Sequence, residues 1–152
     1  MRSNAELYER DFFEWTHTTA ALIRAGKWHD IDPERLAEEL ESLGQQDQRE
    51  VESHLQALLY QLLKWWAQPE ERCRRWASAI HQQRHALTLI LRDSPSLQAH
   101  IPTWLAEEYP SARARALEDT RLYTLPEQCP FTPAHMLDTA FWPEGPTLTP
   151  PE

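Results

Sequence analysis

The chain reads as all-α: a single compact helical bundle of five or six helices, closed by a proline-rich C-terminal strap. Three observations predict this. Leucine, isoleucine and tryptophan recur three and four residues apart over long stretches, the period of a helix with one buried face. Strand-type alternation is missing and β-branched residues are few. Proline and glycine fall at intervals suited to helix ends, and seven of the twelve prolines lie between Pro126 and Pro151. With 152 residues, 41% hydrophobic content and seven tryptophans, one domain with its own core is expected. It should cover residues 1–144, with Gly145–Glu152 frayed.

Tyr8, Phe12, Trp15, Thr19, Leu22 and Ile23 make the stripe of a first helix, which should end at Gly26 in a left-handed cap. Asp32-Pro33 opens a second: Asp accepts the unbonded first-turn amides, and Pro loses nothing at the first helical position. Leu36, Leu40 and Leu43 should face inward there, Gly44 should stop the helix, and Glu34, Glu38, Glu39 and Glu41 take the other face. An antiparallel pair, Gln46–Ala67 and Glu70–Arg92, joined at Gln68-Pro69, should form the centre, with the first two helices packed against it. Leu55, Leu58, Leu59, Leu62 and Trp66 stripe one member; Trp76, Ala77, Ile80, Leu87, Ile90 and Leu91 stripe the other, interrupted at Gln83-Arg84. Ser94-Pro95 starts a short turn that restarts near Pro102. At Pro110 the helix either kinks, or ends at Tyr109 with another from Ser111 to about Leu122. Thr132-Pro133 opens a short helix through Leu137. Phe131, Met136, Leu137, Phe141 and Trp142 are apolar enough to pin the strap across the bundle.

The net charge of −9 argues against a general nucleic-acid or membrane-surface binder. Charge is uneven, however. Met1–Leu63 carries 13 acids and 6 bases, Lys64–Arg92 carries 2 and 6, and the remainder 9 and 3. The positive island is read first as the internal complement of the acidic helices, and second as an external patch. No apolar run reaches the roughly 18 residues of a membrane span, and Met1–Trp15 has no signal-peptide pattern. Cys73 and Cys129 lack metal-type spacing, which fits free thiols in the cytoplasm.

Three glycines exclude phosphate-cradling loops, and nucleophile motifs are missing. Cys73 lies among Arg72, Arg74 and Arg75, yet its place three residues before Trp76 predicts burial on the apolar stripe. His81 and His85 share a helix face and, with Glu38 or Glu41, are weak candidate metal ligands; no cofactor is expected. Arg84 interrupts a buried stripe, so it should be buried and paired with Glu39 or Glu38, or else receive a ligand carboxylate or phosphate. Lys64, Trp65, Arg72 and Arg75, on the basic aromatic face around residues 64–76, have the composition that stacks bases and holds phosphates. Trp66 and Trp76 should be core, leaving Trp65 as the exposed platform.

Several ordered blocks also carry a resemblance. They are Tyr8-x-x-Asp11-Phe12-x-x-Trp15-Thr16, Leu36 through Gly44, Leu62-Leu63-Lys64-Trp65, Gln68-Pro69, Trp76 with Ile80 and Gln83-Arg84, Ser94-Pro95-Ser96-Leu97, and Pro126 through Thr132. The series resembles the bacterial family called domain of unknown function 29 over almost the whole chain. The resemblance implies an all-α fold in a small bacterial protein and brings no mechanism with it. Gln61 stands where many relatives have His, and relatives usually lack a proline at Pro110.

The functional expectation is a non-enzymatic module that binds an unknown protein partner or itself, with tryptophan as the interface residue. Nucleic-acid association through the 64–76 face is the alternative, and a metal enzyme using Glu38, Glu41, His81 and His85 comes third.

Overall fold

Ser3 starts the chain's first helix by accepting from the Glu6 amide, while the Glu6 carboxylate accepts from Ser3 N–H, a reciprocal cap. In the computed structural model, which describes residues 3–120 and 124–144, six helices follow one another and no strand occurs among the described residues. They are α1 (Asn4–Arg10), α2 (Phe12–Arg24), α3 (Pro33–Ala67), α4 (Arg74–Asp93), α5 (Ile101–Thr120) and α6 (Pro133–Leu137). The all-α expectation holds. The frayed tail and the helix end near Leu122 lie outside the described residues. The chain divides into two compact units, Met1–Gln46 and Asp47–Glu152.

In the N-terminal unit the single first helix foreseen is two. Asp11 adopts extended backbone, closes α1, and then accepts from the Glu14 amide to open α2. Its cap bond outcompetes helix continuation, although the apolar stripe runs across the break. Asn4 gathers this unit together. Its Oδ1 accepts from the indole of buried Trp15 and from Asp32 N–H, and its Nδ2 donates to buried Thr19. Gly26 ends α2 with φ 70°, as expected. Asp32 accepts from Arg35 N–H to start α3 at Pro33.

Helix α3 then departs from expectation: it runs 35 residues without stopping at Gly44. Gly44 keeps helical φ, and so the left-handed cap that would end the helix never forms. Leu40 and Leu43, expected inward, are 61% and 60% exposed.

The C-terminal unit is built on α3, α4 and α5. His54 on α3 donates to Gln83 on α4, and Lys64 further along α3 lies over Trp76 near the start of α4, so the two helices are antiparallel as foreseen. Gln56 donates to Glu108 and Tyr60 to Asp119, which makes α5 run in the direction of α3. Val51, Leu55, Leu58, Leu59, Leu62 and Leu63 from α3 meet Ile80, Leu87, Trp104, Leu105, Ala112 and Ala116 in one core. Residues 95–100 form a 3-10 stretch before α5, which passes through Pro110 unbroken. Pro110 and Ala106, whose carbonyl loses its helical partner, are both exposed, so the orphan group is open to solvent. Leu125, Phe131 and Met136 of the strap are buried in the same core, and α6 covers the residues foreseen for it.

Candidate functional site

The basic aromatic region divides into an inward and an outward half. Inward, arginines hold the strap by its main chain. Arg84 is fully buried, as expected from its stripe position, but its partners are carbonyls: Nε donates to Met136 O at 3.1 Å and a terminal nitrogen to His135 O at 2.9 Å. Among the described residues it makes no ion pair. The expected pairing with Glu39 or Glu38 is therefore corrected. Glu39 accepts from Tyr8 O–H, and Glu38 pairs with Arg35 at 3.1 Å. The physical reason is supply. α6 ends under Arg84, and the carbonyls of its short helix need donors that the proline-rich backbone lacks. Burial pushes the Arg84 guanidinium down, and the Asp138 charge partly offsets this.

Arg72 repeats the arrangement near the α3–α4 joint. It donates to Trp65 O at 2.7 Å and to Pro143 O at 3.0 Å, and its guanidinium lies over the Trp65 ring at 5.2 Å. Trp142 then packs on Trp65 at 4.8 Å, against the His81 ring at 5.2 Å, and under Arg84 at 5.7 Å. Trp65 is thus a half-buried seat for the strap rather than an exposed platform; Trp66 and Trp76 are half-buried too. Arg113 on α5, which sequence reasoning passed over, holds the other end of the strap through Leu125 O and Pro126 O.

Outward, Lys64 and Arg115 meet on Tyr60, and Arg75 precedes Trp76 at the start of α4. Lys64 Nζ stands 4.4 Å from the Trp76 ring and 4.8 Å from that of Tyr60, and the Arg115 guanidinium lies 4.0 Å from the Tyr60 ring. Burial, and then the Asp119 carboxylate that accepts its proton, push the Tyr60 phenol up to about 12. Burial pushes the Lys64 ammonium down; Asp119 opposes that, while Arg75 and Arg115 add to it. No ion pair among the described residues involves the segment Lys64–Arg92. Cys73, expected buried, is exposed at the N-cap of α4. Both cysteines are unbridged, and Cys129 donates its thiol proton to Phe131 O.

Among the described residues no group of three or more His, Cys, Asp or Glu side chains is placed to hold a metal ion. His81, His85 and Glu41 are exposed, and Glu38 is engaged with Arg35. A different surface emerges instead in the N-terminal unit. Besides Leu40 and Leu43, it exposes Phe12 (50%), Phe13 (73%) and Trp28 (62%).

A family model described as "Domain of unknown function DUF29" matches residues 7–142. The chain belongs to the DUF29 family. No curated protein and no solved structure matches it. The matched span of this DUF29 chain runs from Leu7, within α1, to Trp142, and so takes in Arg72, Arg84 and Arg113 and the strap up to the residue before Pro143. None of the helices described in this DUF29 chain is long and apolar enough to cross a membrane. The residues that sequence reasoning missed, Arg113, Arg115 and Asp119, sit among alanines on α5. Only their distance in the fold, not their spacing, brings them to Tyr60 and the strap.

Proposed function

We propose that this DUF29 chain is a non-enzymatic interaction module of the bacterial cytoplasm, whose N-terminal unit receives an amphipathic helix with a basic polar face from a partner protein. The supporting observation is the exposed pair Leu40 and Leu43, on the stripe that begins at half-buried Leu36. Five of the six large hydrophobic side chains exposed among the described residues fall within the first 46, a concentration that isolated surface leucines do not give. An α-helical stripe of this kind accepts another helix through i, i+4, i+7 anchors.

Charge selects the partner. Residues 1–46 carry 10 acids and 5 bases, so a second copy would bring like charge to the same face, whereas a basic helix gains from it. The exposed Cys73 thiol suits a reducing compartment. The test titrates the protein with a short fluorescent Leu/Lys amphipathic helix and with its Leu/Glu counterpart. Binding of the basic helix alone, abolished by Leu40→Glu with Leu43→Glu, is expected. Light scattering that shows a dimer dissolved by the same pair would replace the partner with a second copy. Equal binding of both peptides, or binding indifferent to the substitutions, would sink the proposal.

A further inference from the structure

We propose that Lys64, Arg75 and Arg115 form a binding site for a small phosphate anion, either inorganic phosphate or a phosphate monoester. The reading is independent of the N-terminal stripe. It rests on Lys64 and Arg115 meeting on Tyr60, with the charge of Arg75 acting on Lys64, in a protein that carries nine more negative than positive charges.

Lys64 and Arg115 are both set on Tyr60: the lysine Nζ lies 3.4 Å from the phenol oxygen, and the guanidinium carbon 4.0 Å from the ring centre. Tyr60 itself is buried, so it forms a floor that fixes the two cations. Arg75 joins them beside Trp76, whose ring carries Lys64 Nζ at 4.4 Å, and its charge acts on Lys64. Asp119 is the carboxylate set against them. Its Oδ2 already accepts the Tyr60 proton and reaches Arg115 Nε only at 4.0 Å, the outer limit of an ion pair. Three positive charges against one repel each other, a cost that the contacts of Lys64 and Arg115 with the Tyr60 and Trp76 rings offset only in part. A dianion supplies the gain, since it would cancel the excess.

The donor chemistry narrows the class. Two guanidinium groups and one ammonium carry more N–H donors than the two oxygens of a carboxylate can accept, and the several oxygens of a phosphate suit them better. Access is open, because Arg75 is exposed and the Arg115 side chain is 57% exposed, while Lys64 is half-buried behind them.

Calorimetric titration with inorganic phosphate, and separately with methyl phosphate, at ionic strength held constant with sodium chloride, tests the site. One saturable site is expected, weakened about tenfold in both Arg75→Gln and Arg115→Gln, since each removes a charge-assisted contact. Arg92→Gln, at an exposed arginine elsewhere on α4, should leave it unchanged. Methyl phosphate binding as tightly as phosphate assigns the site to monoesters, and weaker binding assigns it to the free ion. No saturable binding by the parent protein, or equal weakening by Arg92→Gln, overturns the proposal. Both test positions are exposed, and circular dichroism confirms that the variants fold.

Discussion

Replacing Arg84 with methionine should loosen the strap without unfolding the core. Methionine keeps most of the volume and removes the charge. The two bonds to Met136 O and His135 O disappear, and at about 1.5–3 kcal/mol for each charge-assisted bond the gross loss is about 3–6 kcal/mol. Against it stands the burial cost of a guanidinium that makes no ion pair and leaves one terminal nitrogen unbonded, an opposing effect of several kcal/mol. The net cost expected is about 1–3 kcal/mol, below the roughly 3–5 kcal/mol of a broken buried ion pair. Burial of Leu125, Phe131 and Met136, at about 1.5–3 kcal/mol each, is enough to keep the strap docked most of the time. Its open population should therefore rise about fivefold to about a hundredfold. Native-state hydrogen exchange reads this at the amides of Met136, Asp138 and Phe141, which are bonded within the strap, with Leu58–Leu63 of α3 as the reference. Faster exchange in the strap alone is the expected result. Equal acceleration in α3, or a strap that exchanges as in the parent, would refute the anchoring role.

Gly44→Ala should stabilise the protein by about 0.4–1 kcal/mol in thermal or urea melts, because its Cβ would meet nothing and the helix continues through it. Gly26→Ala, at φ 70°, should cost about 1–2 kcal/mol in the same melts. Glu108 is pushed up by burial first and then by Glu52; its folded-state pKa is above the unfolded one, so its contribution is present in acid and lost as pH rises. Glu108→Gln keeps an acceptor for Gln56 and should raise the melting temperature at pH 8, with the advantage shrinking toward pH 4. Tyr60 and Tyr109 are both held near 12 against an ordinary 10, chiefly by burial. Between those values the unfolded chain sheds protons that the folded one keeps, so urea melts should show stability falling across that window. Leu40→Gln and Leu43→Gln, by contrast, should each change stability by less than about 0.5 kcal/mol, since both side chains are already in water.

What the sequence made legible was whatever has a local cause. Gly26, Asp32-Pro33 and Thr132-Pro133 act on amides within one turn of themselves, and all three ended or began helices as read. Asp11 had the same local signal but was hidden, because the apolar stripe continued on both sides of it. Gly44 failed for the opposite reason: a glycine stops a helix only when its φ turns positive, which neighbours do not reveal. Leu40 and Leu43 have the spacing of buried residues and no partner in their unit to bury them, which makes them candidates for a partner elsewhere. Arg84 was legible in burial and illegible in bonding. Periodicity placed it inside, but a carbonyl acceptor carries no residue type that could be read two helices away.

The strap is held at Leu125, Pro126, His135, Met136 and Pro143 by Arg113, Arg84 and Arg72, and every acceptor is a main-chain carbonyl. Such a clamp reads the path of the backbone and is blind to the side chains on it. Among diverging homologues the exposed strap positions are then free to drift, while each arginine stays without a residue that must change in step with it. Covariation between positions would miss all three anchors and would find the strap only through its apolar side chains, such as Leu125, Phe131 and Met136. Exchange of the arginines one at a time, not comparison of sequences, is what exposes the attachment.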